Sequence, residues 1–258
     1  MSTNGQYKAL LVDCDGTLAP VDMQVTPRVR EAVTELAKLI PVCIVSSRDH
    51  HNIQWLASSL GFTAPQVSEG GARIFDPLKG ETLWRGIMAA EDSKDIVGFL
   101  DGNKLSFLGI DGLKRVQSAD EVTDWEVTRI TATSLRPEQA QKIAAEFTAN
   151  LPNVHSAVII RTDNDDWMVD FTHVDATKAS AAGRVAGLLG IKPSQLIAAG
   201  DSYNDLPLLE ACGLGIAMGN GVAELKAGAD YVAPSTWEDG LATAIEEFVL
   251  PAVNGTRL

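Results

Sequence analysis

Residues 9–20 read "ALLVDCDGTLAP". Ala9–Val12 is an apolar run of the length of a short buried strand, and it delivers two carboxylates, Asp13 and Asp15, at its end before Gly16 breaks the chain. Two like charges about 4 Å apart repel by roughly 4 kcal/mol at an effective dielectric of 20. A strand that ends this way works against its own stability unless positive charge is supplied from elsewhere in the chain or by a cation.

The flanking sequence sets the architecture. "TPRVREAVTELAKLI" (26–40) opens with a capping Thr26 and with Pro27 at the first helical position, then puts Val29, Val33, Leu36 and Ile40 on one face. "PVCIVSS" (41–47) is a second buried strand and "DHHNIQWLASSLG" (49–61) a helix closed by Gly61, with Trp55 as packing and His50 and His51 at the surface. "PQVSEGG" (65–71) follows as a third strand and turn, and this β-α-β-α-β order predicts a parallel sheet with ligands at the carboxyl ends of its strands.

From about Glu81 to Val174 the pattern changes. Strand-like "KLSFLGI", "WEVTRITAT", "SAVIIRT" and "WMVDFTHV" surround helix-like "EDSKDIVGFL" and "RPEQAQKIAAEF". Trp167, Val169 and Phe171 alternate with Met168, Asp170 and Thr172, which predicts one face against helices and one open, partly polar face. The β-α alternation resumes with "TKASAAGRVAGLLG" and runs to "EDGLATAIEEFVL". The expected fold is therefore α/β: a Rossmann-like parallel-sheet core, residues 1–81 and 175–258, interrupted by a smaller α+β domain over 82–174.

Composition narrows the function classes. The 258 residues are 45% hydrophobic and 21% charged, with a formal net charge of −13, which disfavours nucleic acid as a partner. Cys14, Cys43 and Cys212 are an odd count without metal-ligand spacing and read as reduced core residues. Neither a signal-peptide pattern nor an apolar run approaching membrane-spanning length is evident, so a cytoplasmic protein, monomer or homodimer, is expected. His50, His51, His155 and His173 form no metal-ligand set, and the tryptophans read as filling of the core or the inserted domain. An anionic substrate would need positive charge gathered locally.

Four short pieces stand at strand ends or helix starts of the expected core: "DCDGT" (13–17), "VSSR" (45–48), "ATK" (176–178) and "GDSYND" (200–205). Singly each has a bland reading. Asp201 and Asp205 suit a helix cap and first turn, Lys178 a solvated helix face, and Ser46 and Ser47 a polar strand end. In this order the four resemble the motifs of the haloacid dehalogenase (HAD) superfamily of aspartate-nucleophile phosphatases, and the layout is similar to that of the Cof-type sugar-phosphate phosphatases. The later "GIAMGNGVAELKAGADYVAPSTWEDG" (215–240) resembles the family's tail. Spacing agrees with the subgroup: only a loop and one helix fit between Asp15 and Ser46, whereas well over a hundred residues separate Ser46 from Lys178.

The resemblance implies a phosphomonoesterase for a small phosphorylated metabolite, dependent on Mg²⁺. Asp13 would be the nucleophile, already ionised at neutral pH, and Asp15 the acid and base that protonates the leaving alcohol and then deprotonates water. The metal would be held by Asp13, the Asp15 carbonyl and Asp201, with Asp205 as a further acidic member placing a metal-bound water or Lys178. Gly16 and Thr17 would turn the chain and expose backbone N–H groups. Ser46 or Ser47, with Arg48 and Asn204, would contact phosphate or substrate, and Lys178 would neutralise charge. Arg129, Arg161, Asp170 and Thr172 are the candidate substrate contacts of the inserted domain. The sequence departs from the family pattern at Ser46-Ser47-Arg48, where Thr-Gly-Arg is usual, and at Gly70-Gly71-Ala72, where Asn-Gly-Ala is common. A phosphomutase of the phosphomannomutase type, or a non-catalytic phosphate-binding protein of this fold, fits the same motifs.

Overall fold

The computed structural model describes residues 6–20, 24–161 and 166–254. Strands in chain order are β1 Ala9–Val12, β2 Val42–Ile44, β3 Gln66–Ser68, β4 Arg73–Phe75, β5 Thr82–Arg85, β6 Phe107–Asp111, β7 Lys114–Val116, β8 Val127–Leu135, β9 Val154–Arg161, β10 Asp166–His173, β11 Leu196–Gly200, β12 Leu214–Ala217 and β13 Tyr231–Val232. The helices are α1 Pro27–Ala37, α2 His50–Ser59, α3 Ala90–Gly102, α4 Pro137–Asn150, α5 Lys178–Leu189, α6 Leu206–Ala211, α7 Ala223–Gly228, α8 Gly240–Ala244 and α9 Leu250–Val253. The chain divides into two compact units, Met1–Leu83 with Lys178–Leu258, and Trp84–Thr177.

The first unit is built on a parallel sheet in the order β13-β12-β11-β1-β2. A parallel bridge between Val45 and Val67 leads on to β3, which belongs to a separate β3-β4-β5 sheet. Every residue of β1 and β11 is buried, as expected for central parallel strands covered on both faces. The chain leaves β1 towards β2 on one side and returns through β11 on the other, so strand order reverses between β1 and β11. At such a switch point the following loops part and leave a crevice at the carboxyl ends. Asp13 and Asp201 follow directly on β1 and β11.

Local chemistry accounts for the helices that flank this sheet. Thr26 caps α1, its Oγ1 accepting from Val29 N at 3.3 Å with Pro27 in the first turn, and Val29, Ala32, Val33 and Leu36 pack inward. Asp49 caps α2 through Asn52 N at 3.1 Å. Two expectations for α2 are corrected. Trp55 is 68% exposed, because Ile53, Leu56 and Ala57 already fill the buried face and Trp55 points off it. His50 is buried, its ring edge-on to Phe75 at 4.3 Å between centroids. Trp237 is likewise exposed, at 66%, and does not fill the core.

The second unit is an antiparallel sheet in the order β7-β6-β8-β10-β9. Ile130, Ala132, Val169 and Phe171 form its apolar face, in one cluster with Ile96, Val97 and Leu100 of α3 and Ile143 and Phe147 of α4. On the opposite alternation, Thr131 is paired in register with Asp170, and Arg129 with Thr172. This polar face, expected to be open, carries buried groups that satisfy one another. Asp170 Oδ1 accepts from Arg129 Nη2 at 2.7 Å and from Thr131 Oγ1 at 2.6 Å, and Thr172 Oγ1 donates to Ala176 O at 3.0 Å. The Arg161 side chain lies outside the described residues.

Burial, reinforced by Arg73 and His51, lowers the His50 pKa to about 4. The folded protein therefore holds a neutral ring where the unfolded chain binds a proton. The resulting stability is present above about pH 6.5 and is lost as pH falls towards 4. In urea titrations at pH 7 and pH 4.5, a His50→Gln variant is expected to lose less stability on acidification than the wild type, by of order 2 kcal/mol. Equal losses would remove His50 from the account.

Candidate active site

Asp13 continues the parallel ladder beyond β1, its N–H donating to Ala199 O at 2.9 Å. Its carboxylate is buried at 6% exposure. The chain then turns sharply through Gly16 at φ +85, where an added Cβ would lie 2.2 Å from Asp201 Oδ2. Only glycine meets both demands, a left-handed backbone and a carboxylate in the space of the missing side chain. The Gly16 N–H closes the turn by donating to Ala19 O at 2.7 Å, so the exposed N–H expected at Gly16 is not available. Thr17 is fully buried, and its Oγ1 donates to Asp201 Oδ1 at 3.2 Å.

The positive charge demanded by the first strand is Lys178, at the start of α5. Its Nζ donates to Asp13 Oδ1 at 2.6 Å, to Asp205 Oδ1 at 2.7 Å and to Asn204 Oδ1 at 3.4 Å. Asp205 is fully buried, and its Oδ2 accepts from the backbone N–H groups of Asp201 and Ser202 at 3.1 and 3.0 Å. One carboxylate thus clasps the "GDSYND" loop and presents its other oxygen to the lysine. One oxygen of each of Asp13, Asp201 and Asp205 lies within 4.8 Å of the others.

Asp13 and Asp205 share one ammonium, with the Asp201 carboxylate beside them. Burial pushes the Asp13 carboxyl well above the ordinary aspartate range; Lys178 opposes this, and Asp205 and Asp201 add to it. Burial, then the neighbouring Asp205, raises Asp201 to about 7. Burial works against the Lys178 ammonium, but Asp13 and Asp205 more than offset it and hold its pKa above the usual lysine value. A buried oxygen-donor set with negative charge in excess is the chemistry that suits a hard divalent cation.

Ser46, at the end of β2, is buried at 2% exposure, its Oγ accepts from Arg48 N at 3.1 Å, and its carbonyl accepts from Gly70 N at 3.0 Å. Ser47 is half-buried beside it, its Oγ 4.0 Å from where a Cβ on Gly70 would stand. Arg48, expected at phosphate or substrate, turns instead to Asp15: its Nε and Nη2 donate to Asp15 Oδ2 and Oδ1 at 2.8 and 2.5 Å. Sequence reasoning also passed over Asn220. Its Nδ2 donates to Gly16 O at 2.9 Å and reaches Asp201 Oδ2 at 3.4 Å, while its Oδ1 accepts from Thr236 N at 2.8 Å. An asparagine between two glycines, just past the carboxyl end of β12, was the available signal.

The fold and this cluster define a class: an α/β core on a parallel sheet with an inserted antiparallel domain, carrying aspartates and a lysine at the switch point of its parallel sheet. The chain belongs to the haloacid dehalogenase-like hydrolase family, whose model matches residues 10–122 and 112–245. Similar curated proteins include a phosphoglycolate phosphatase from Natronomonas pharaonis, 29% identical over 92% of this chain and 96% of the relative. Another is the 5-amino-6-(5-phospho-D-ribitylamino)uracil phosphatase YcsE of Bacillus subtilis, 24% identical over 94% of this chain and 96% of the relative. Among solved structures, the HAD subclass IIB sugar phosphatase BT4131 shares the fold with a TM-score of 0.81 at 21% identity, over 94% of this chain and 99% of that one. The chain is an enzyme of the phosphoric monoester hydrolase class. Among the described residues, no helix is long and apolar enough to cross a membrane.

The Gly16 geometry carries a direct test. A Gly16→Ala variant must accommodate both a positive φ and a collision with the Asp201 carboxylate, and is expected to lose about 2 kcal/mol or more in urea unfolding. A loss below 0.5 kcal/mol, the order expected at an ordinary surface position, would contradict the close approach.

Proposed function

We propose that this protein hydrolyses small phosphomonoesters in a Mg²⁺-dependent reaction through a phospho-Asp13 intermediate. The observation that carries the reading is the contact of Lys178 Nζ with Asp13 Oδ1, 2.6 Å, in a buried site that also holds Asp201 and Asp205. Asp13, Asp201 and the Asp15 carbonyl would hold the metal. When bound, Mg²⁺ supplies charge compensation to the carboxylates and to the phosphoryl oxygens. Asp205, with Oδ1 on Lys178 and Oδ2 on backbone N–H groups, serves best as the anchor of the lysine.

The remaining steps fall to the chain's own groups. An Asp13 carboxylate oxygen forms a bond to phosphorus as the bond to the leaving oxygen breaks, and Asp15 gives that oxygen a proton. Asp15 then takes a proton from the water that attacks the acyl phosphate, releasing phosphate and restoring Asp13. Accepting from Arg48 N leaves the Ser46 hydroxyl proton to donate to the transferring group, and Lys178 balances charge on it and on Asp13. Phosphoglycolate and a phosphoribitylamino-uracil, named for two relatives, support a small phosphorylated metabolite as the substrate.

Phosphate release from a panel of sugar phosphates, phosphoglycolate and p-nitrophenyl phosphate is expected with Mg²⁺ and not with EDTA. Asp13→Asn is expected to lower kcat by 10³-fold or more, and wild-type rates in that variant would sink the covalent mechanism.

Asp201 couples metal binding to pH. Its folded pKa, about 7, lies above the unfolded value, so its contribution to metal-free stability is fully present below about pH 4 and is lost as pH rises through 7. The rise in Tm on adding Mg²⁺ is expected to grow from pH 5.5 to pH 8. A rise independent of pH would remove Asp201 from the metal site.

A further inference from the structure

Behind the Ser46–Arg48 loop the structure accepts two unfavourable features that the chemistry above does not use. Glu69 is fully buried and stands at φ 57, in the left-handed region that a non-glycine residue adopts only when its surroundings enforce it. Its carboxylate accepts from Arg73 Nε at 2.9 Å, and Arg73, itself 2% exposed, also donates from Nη1 to Thr82 Oγ1 at 3.1 Å. Burying an ion pair strips hydration from both partners and is weak as a source of stability. This pair does, however, hold a backbone in place. The Glu69 N–H donates to Arg48 O at 2.8 Å, and the next N–H, of Gly70, donates to Ser46 O at 3.0 Å.

The loop so pinned aims one side chain. Arg48 meets both oxygens of Asp15 in a fork, which fixes the plane and the direction of a carboxylate as a lysine point charge cannot. Asp15 stands beyond the end of β1 with its side chain 35% exposed, where its rotamer would otherwise be free.

We propose that Arg48 is a positioning residue for Asp15, and that the buried Glu69–Arg73 pair sets the Arg48 backbone for that task. The proposal rests on the reading of Asp15 as the proton-transfer group. As the bond from phosphorus to the leaving oxygen breaks and that to Asp13 forms, the Asp15 proton moves to the leaving oxygen. Asp15 is left as the carboxylate that the Arg48 fork holds.

The test varies the need for that proton. Arg48→Gln and Arg48→Lys are assayed with Mg²⁺ for kcat/KM on aryl phosphates from p-nitrophenyl, whose phenolate leaves unaided, to p-methoxyphenyl, whose phenolate does not. Both variants are expected to lose at least about tenfold more on p-methoxyphenyl than on p-nitrophenyl phosphate, and to add nothing to that ratio in an Asp15→Asn background. Glu69→Gly/Arg73→Leu, which keeps the backbone conformation accessible and removes both charges, is expected to shift the ratio the same way by about threefold or more, with Arg73→Lys as the milder change. Equal losses on all substrates, with weaker inhibition by inorganic phosphate, would make Arg48 a ligand of the phosphoryl group and overturn the proposal. An unchanged ratio in folded Glu69 and Arg73 variants would overturn the part assigned to the pair. If the wild type releases no phosphate from any of these esters with Mg²⁺, the phosphatase reading itself fails and the proposal falls with it, a result distinct from equal losses on all substrates.

Discussion

One buried ammonium organises this molecule. Lys178 bridges Asp13 and Asp205 across 165 and 27 residues of chain, and each contact is a short charge-assisted hydrogen bond in a setting where water cannot screen it. Removing one partner from a buried charge cluster leaves the others uncompensated, a loss of order 3–5 kcal/mol. The contact thus ties the start of the sheet to the point where the chain returns to it after Trp84–Thr177.

Around that contact the backbone does as much as the side chains. Gly16 lets the first loop pass against the Asp201 carboxylate, and Asp205 accepts from two backbone N–H groups of the loop that carries Asp201. Asn220 ties the loop after β12 to the Gly16 carbonyl, and Glu69 ties the segment after β3 to the Arg48 carbonyl. With Arg48 joining the loop after β2 to Asp15 after β1, five loops at strand ends are cross-linked by hydrogen bonds. That rigidity holds three carboxylates within 4.8 Å of one another despite their repulsion.

The residues legible in the sequence were those whose chemistry is unusual for their place. Asp13 and Asp15 end an apolar strand, and Lys178, Asp201 and Asp205 each follow a strand or open a helix in a fixed order. Residues whose role comes from a distant partner were less legible. The place of Arg48 in "VSSR" implies phosphate or substrate, and only the folded chain brings the Asp15 carboxylate to its fork. Trp55 and His50 sit five residues apart on one helix, and hydrophobicity alone assigned them the wrong faces; the helix angle buries His50 against Phe75 and turns Trp55 to solvent. Glu69 gave no signal, since a buried glutamate at positive φ contradicts every local preference of the residue.

By itself the sequence determined the α/β order, the interruption of the core and the acidic motif residues, because hydrophobic period, capping residues and glycine breaks are local and survive reading in one dimension. Only the tertiary structure decided which charges meet: Lys178 with Asp13 and Asp205, Arg48 with Asp15, Arg73 with Glu69, and Arg129 with Asp170. Ion pairing depends on distances of a few ångströms between groups far apart in the chain. It follows from strand order and loop geometry, to which no single residue's identity points.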